Sequence, residues 1–66
     1  MANGAEQERF LAENWEVLDL SYLKSKTVRQ IAGRTGKDES DVRLVVSKAW
    51  AMGITYGDVH DYMQRI

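Results

Sequence analysis

Apolar residues in this chain recur at intervals of three and four along every segment, and no stretch alternates apolar with polar. A period near 3.6 predicts amphipathic helices, and the lack of a period of two predicts no strand. The chain contains no proline, so the strongest helix breaker is absent throughout. The expected fold is therefore all-α: a small helical bundle of about four helices. Sixty-six residues allow a single domain. A domain of that size is marginal unless a disulfide, a metal or a partner supports it. Without cysteine no disulfide can form, and a single histidine excludes a Cys/His zinc site. Stability must then come from tight helix packing or from association with another chain.

Four helical segments can be read. Residues 1–4 form a flexible N-terminal tail, and residues 5–66 form the domain. From Ala5 to about Leu23, Ala, Glu, Gln, Leu and Arg dominate, and Leu11, Trp15, Leu18 and Tyr22 form one stripe at about 100° per residue. Phe10, Val17 and Leu20 fall outside that stripe, so either the core wraps around this helix or a second face meets a partner. Thr27 and Gln30 have the spacing of a capping box. The short helix after them points Val28, Ile31, Ala32 and Thr35 inward and ends at Gly36. Asp38 reads as the cap of a third helix, with Val42, Val45, Val46 and Ala49 inward, Trp50 at the edge and Gly53 as the stop. Asp58–Arg65 reads as a fourth helix, with Val59, Tyr62, Met63 and Ile66 on one side.

Charge divides the chain more sharply than its net of −1 suggests. Residues 1–23 carry one basic and five acidic side chains, for −4; residues 24–48 carry seven basic and three acidic, for +4; residues 49–66 carry −1. An acidic start beside a basic middle hints at nucleic-acid contact. The opening residues have no apolar run behind a basic start, so no signal peptide is read there. No run approaches the roughly 20 apolar residues of a membrane span. A cysteine-free chain with these features is expected to be cytoplasmic.

The segment Val28–Ser47 resembles the helix-turn-helix of DNA-binding proteins. Ile31 and Ala32 match the first motif helix, Gly36 the turn, and Val42 and Val45 the second helix. Ala32 is small where the second helix crosses closely, Gly36 permits the sharp turn, and the two valines point inward. With Trp15 in helix one and Met52-Gly53-Ile54 closing helix three, residues 14–54 are similar to a three-helix, Myb-like variant. The stretch after Gly53 is too short and too helical in pattern for a winged form.

That resemblance implies sequence-specific binding of double-stranded DNA by a small transcriptional regulator or accessory factor of phage, plasmid or bacterial type. It places Ser40, Arg43, Leu44 and Ser47 on the base-reading face. Lys26, Thr27, Arg29, Lys37 and Lys48 are expected on phosphates, with Lys24 and Arg34 completing the basic set. Two features depart from the pattern. Lys37 occupies a turn position that is usually apolar, and Asp38, Glu39 and Asp41 crowd the start of the recognition helix, where phosphates repel carboxylates. They motivate the alternative of a protein-interaction module docking on polymerase or another regulatory protein through its acidic helix surfaces.

Other features carry no chemistry of their own. Trp15 and Trp50 are expected in the core, with Met52 and Met63 as filler. Asp58, His60 and Asp61 read as a solvated helix end whose side chains diverge. Ser47 has no helical neighbour that could act as its base, there is no second histidine, and no glycine pattern cradles phosphate, so no enzyme, metal or cofactor is expected. Because one such motif spans few base pairs, a homodimer is expected, with helix one or helix four at the interface.

Overall fold

A computed structural model describes residues 4–66. Gly4 starts the first helix instead of belonging to a tail; the rest of the expected tail, residues 1–3, lies outside the described residues. Helix α1 spans Gly4–Leu18 and runs on into a π-helical turn, Asp19–Leu23. Helices α2 (Val28–Thr35), α3 (Glu39–Ala51) and α4 (Tyr56–Arg65) follow. Among the described residues there is no strand, and the chain is an all-α bundle of four helices, as the spacing predicts.

The single helix expected over 5–23 is interrupted twice. Asn14 leaves helical geometry (φ −129°, ψ 17°), and its side-chain amide donates to the Phe10 carbonyl 3.0 Å away. A side chain that serves the carbonyl four residues back competes with the backbone ladder and kinks the helix. After Leu18 the ladder widens: the Lys24 amide donates to the Asp19 carbonyl, and the Lys26 amide reaches the Leu20 carbonyl. Ser25, at φ 52°, then turns the chain toward α2. Lys24 also pairs with the buried Asp19 carboxylate at 3.1 Å, which supplies the partner that a buried charge requires.

The turns follow local chemistry. The Thr27 hydroxyl oxygen accepts from the Gln30 amide, and the Gln30 side chain accepts from the Thr27 amide, completing the expected capping box. Gly36 ends α2 in the left-handed region at φ 74°, and its amide donates to the Ala32 carbonyl. Asp38 holds the extended backbone of an N-cap before α3, but its side chain makes no capping bond. The fourth helix begins two residues before the expected Asp58, because Thr55 caps it and Asp58 closes a second capping box from inside. Asp58 is thus half-buried and engaged, not a solvated end.

Two apolar clusters form the core. Leu11, Leu18, Ala49, Ile54 and Val59 make one, joining α1, α3 and α4. Val17, Leu20, Ile31 and Val42 make the other, joining the end of α1 to α2 and α3. Val45 touches both, so α3 is the element that binds them together. The adjacent residues Val17 and Leu18 enter different clusters and are both fully buried. The core therefore wraps around the end of α1. Val17 and Leu20 lie inside one subunit, and Phe10 packs half-buried against the first cluster. Val17 and Leu20 therefore offer no surface for the pairing expected through helix one, and Phe10 is only partly exposed.

Long-range polar contacts dock the ends. The Tyr22 hydroxyl donates to the Ile54 carbonyl at 2.9 Å, and the Gln7 amide donates to the Met52 carbonyl at 2.9 Å. Arg65 meets Glu8 at 2.7 Å, tying the end of α4 to the start of α1. Among the described residues no helix is long and apolar enough to cross a membrane.

Candidate nucleic-acid interface

The α2–α3 pair meets through Ile31 and Val42, both fully buried, with half-buried Val28, Ala32, Val45 and Val46 beside them. Ala32 packs against this contact, half-buried. Because the inward line of α3 runs through Val42 and Ala49, the opposite side faces out at about 100° per residue. Ser40, Arg43, Leu44 and Ser47 are all exposed there, Leu44 by 61%. All four residues expected on the base-reading face thus lie along one open helix surface.

The surrounding charges differ from the expectation in detail. Arg43 is paired with Glu39 one turn earlier on α3, at 3.4 Å. That pair is solvent-exposed and so holds Arg43 only weakly. Lys48 points to the α1 flank, where it lines a cleft with Glu6, Arg9, Phe10, Glu13 and Met52. Carboxylates there oppose the phosphate role expected of it. Arg34 turns the other way, into a cleft with Trp15, Glu16, Asp19, Leu20 and Lys24. Lys26 is half-buried, whereas Arg29 and Lys37 are exposed, and neither is ion-paired among the described residues. Thr27 uses its hydroxyl oxygen in the cap but keeps a proton to donate.

Asp38, Glu39 and Asp41 remain exposed at the start of α3. The cationic surface is accordingly centred on the start of α2 and on the turn, not on α3 itself.

Both tryptophans depart from their expected place in the core. Trp15 is 39% exposed, and Trp50 is 74% exposed at the end of α3. Trp50 borders a groove of about 440 Å³ with Tyr22, Gly53, Ile54, Thr55 and Tyr56. Periodicity places residue 50 on the flank of α3, and a flank is buried only if another element covers it. Here Gly53 (φ 76°) turns the chain away, so α4 covers Ala49 and not its neighbour. Met52 and Met63 do pack against the core. His60 and Asp61, expected to diverge, approach to 4.0 Å, while His60 also stacks on Tyr56 with centroids 6.1 Å apart. No group of three or more metal-ligating side chains is assembled among the described residues.

No protein-family model matches this chain, and no curated protein or solved structure is significantly similar to it.

Proposed function

We propose that this chain is a DNA-binding helix-turn-helix module that acts in the cytoplasm as a small regulator or accessory factor, without catalysis. The observation that supports this reading is the open face of α3. Ser40, Arg43, Leu44 and Ser47 line one exposed helix surface, and Arg29 on α2 and Lys37 in the turn before α3 are exposed cations with no ion pair among the described residues. A helix of 13 residues is about 20 Å long, and an α-helix fits the major groove. In this reading Arg43 exchanges its exposed Glu39 partner for a guanine edge. Thr27, Arg29, Lys26 and Lys37 hold phosphates, and Lys48 contributes less because Glu6 and Glu13 share its cleft. Two copies reading neighbouring half-sites supply the affinity that one short helix lacks.

A salt-dependent titration on duplex DNA tests the proposal. About four phosphate contacts give a slope of log K against log salt near −3 to −4. Arg43→Ala should cost about 1–3 kcal/mol and blur one base position. Glu39→Gln should tighten binding by removing the competing carboxylate. An absence of binding even at low salt, where phosphate attraction is strongest, rejects DNA as the ligand.

One observation favours a second reading. Asp38, Glu39 and Asp41 are exposed together where α3 would enter the groove. In a module that docks on a basic protein surface, those carboxylates are the contacts. Replacing Asp38 and Glu39 with Asn and Gln would then abolish partner capture, whereas on DNA the same change strengthens non-specific binding.

A further inference from the structure

Of the three carboxylates at the start of α3, one has a cationic partner on the reading face. Arg43 Nη2 donates to Glu39 Oε1 at 3.4 Å, whereas Asp38 and Asp41 make no ion pair among the described residues. The two residues are one turn apart, so their side chains leave the same flank of α3 and meet at their tips. Both remain open to a ligand: the Arg43 side chain is 63% exposed and that of Glu39 46%. Their contact occupies one nitrogen and one oxygen, so the guanidinium keeps further donors and the carboxylate a second acceptor oxygen.

The meeting of the tips limits what the pair can touch in a major groove. Base pairs stack about 3.4 Å apart, so side chains whose ends lie 3.4 Å apart reach one base pair or two neighbours, not distant ones. Together they present hydrogen-bond donors beside an acceptor. A G·C pair presents the converse along its major-groove edge: guanine N7 and O6 accept, and the cytosine N4 amine beside them donates. Adenine offers only N7 as an acceptor there, with its N6 amine next to it, so it cannot take two donors from Arg43. A phosphate offers acceptors alone and repels the carboxylate.

We propose that Arg43 and Glu39 read one G·C pair as a unit: Arg43 donates to guanine N7 and O6, and Glu39, released from Arg43, accepts from the N4 amine of the paired cytosine. The proposal rests on the DNA-binding reading and names the base pair that its open face selects. It also gives the released carboxylate a partner. When Arg43 turns to the guanine, Glu39 loses its own donor, and a carboxylate enclosed in the groove without one is costly. At G·C the exchange is complete on both sides; at any other pair, half of the ion pair stays unmatched. Glu39 therefore lowers affinity for every sequence, but lowers it least for the sequence it reads.

Selection from a pool of randomised duplexes by the wild-type chain, followed by titration of the enriched duplex and of its single-pair variants, tests the proposal. The enriched duplexes should share a fixed G·C pair, and A·T at that position should weaken wild type about tenfold or more. Glu39→Ala should tighten binding to the A·T variant and cut the preference for G·C by about fivefold. Asp41→Ala is the control. It removes the same charge at a position about 200° around the helix from Glu39 and from Arg43, and it should tighten all duplexes alike. Glu39, Asp41 and Arg43 are exposed, so these changes leave the fold in place. A second measurement places N4-methylcytosine in the fixed pair, where the methyl group replaces the groove-facing hydrogen of the amine. That duplex should bind wild type several-fold more weakly, and Glu39→Ala nearly as well as before. An equal effect of Glu39→Ala on every duplex, or a fixed pair other than G·C, overturns the proposal and leaves the DNA reading standing. A wild-type chain that retains no duplex from the pool at low salt rejects the DNA reading itself, and the proposal with it.

Discussion

Tyr22 joins the π-helical turn to the segment before α4 through its hydroxyl, which donates to the Ile54 carbonyl at 2.9 Å. Burial first, and the nearby Asp58 charge second, push its pKa above the ordinary tyrosine value. A raised pKa means that the folded state disfavours the phenolate. This contribution is complete below the unfolded value, about 10, and is lost as pH rises through the folded value. Urea titrations at pH 7 and above pH 10 should show wild type weakening in alkali and Tyr22→Phe weakening less. At pH 7 that variant should cost about 0.5–1.5 kcal/mol for the missing hydrogen bond. Gly36 presents a different case. Its φ is 74°, and a Cβ built there meets nothing within 4 Å. Only backbone strain then opposes substitution, so Gly36→Ala should cost roughly 1–2 kcal/mol. Gly36→Asn should cost less, because asparagine tolerates the left-handed region. Thermal melts of the two variants would rank them; an equal cost would point to a steric clash that this geometry does not contain.

Among the elements, the N-caps of α2, α3 and α4 make an internal comparison. Thr27 and Thr55 each complete a reciprocal capping box, whereas Asp38 holds the cap conformation without a side-chain bond. Thr27→Ala and Thr55→Ala should each destabilise by about 0.5–2 kcal/mol. Asp38→Ala should cost only the few tenths that a negative charge contributes at an exposed helix start. Chemical denaturation of all three variants checks this order, and a loss at Asp38 equal to the others would contradict it. The box at Thr27–Gln30 was legible in the sequence because glutamine is the familiar partner. The one at Thr55–Asp58 was missed because aspartate, one methylene shorter than glutamate, is not the residue that pattern looks for. The kink at Asn14 was equally hidden, since a single asparagine in a helical pattern does not reveal whether its amide faces solvent or the carbonyl four residues back.

At the scale of the whole molecule, stability rests on two small clusters bridged by α3. A domain of this size has a total stability of about 3–10 kcal/mol. Leu18 is fully buried, and truncating such a leucine to alanine costs about 2–5 kcal/mol. Leu18→Ala should therefore lower the melting temperature by about 10 °C or more, while Leu44→Ala, on the open face of α3, should leave it within a degree or two. Differential scanning calorimetry separates them. An unchanged melt for Leu18→Ala would mean that the first cluster does not hold the bundle together.

The sequence by itself determined the helical class, the capped start of α2, the left-handed end at Gly36 and the exposure of Ser40, Arg43, Leu44 and Ser47. Each of these depends on residues within about four positions, where hydrogen bonds, dihedral limits and the 3.6-residue period act directly. Tertiary structure decided whether each helix flank is covered. Val17 and Leu20 looked surplus to one stripe, yet α2 and α3 close over them. Trp50 looked like core, yet it stays 74% exposed, because Gly53 sends the chain past it toward Val59. The same holds for the cations: a lysine at position 48 has the same local sequence whether it faces a phosphate or the carboxylates of α1. Periodicity gives the angle at which a side chain leaves its helix, but only the packing of the other helices sets what it meets at that angle.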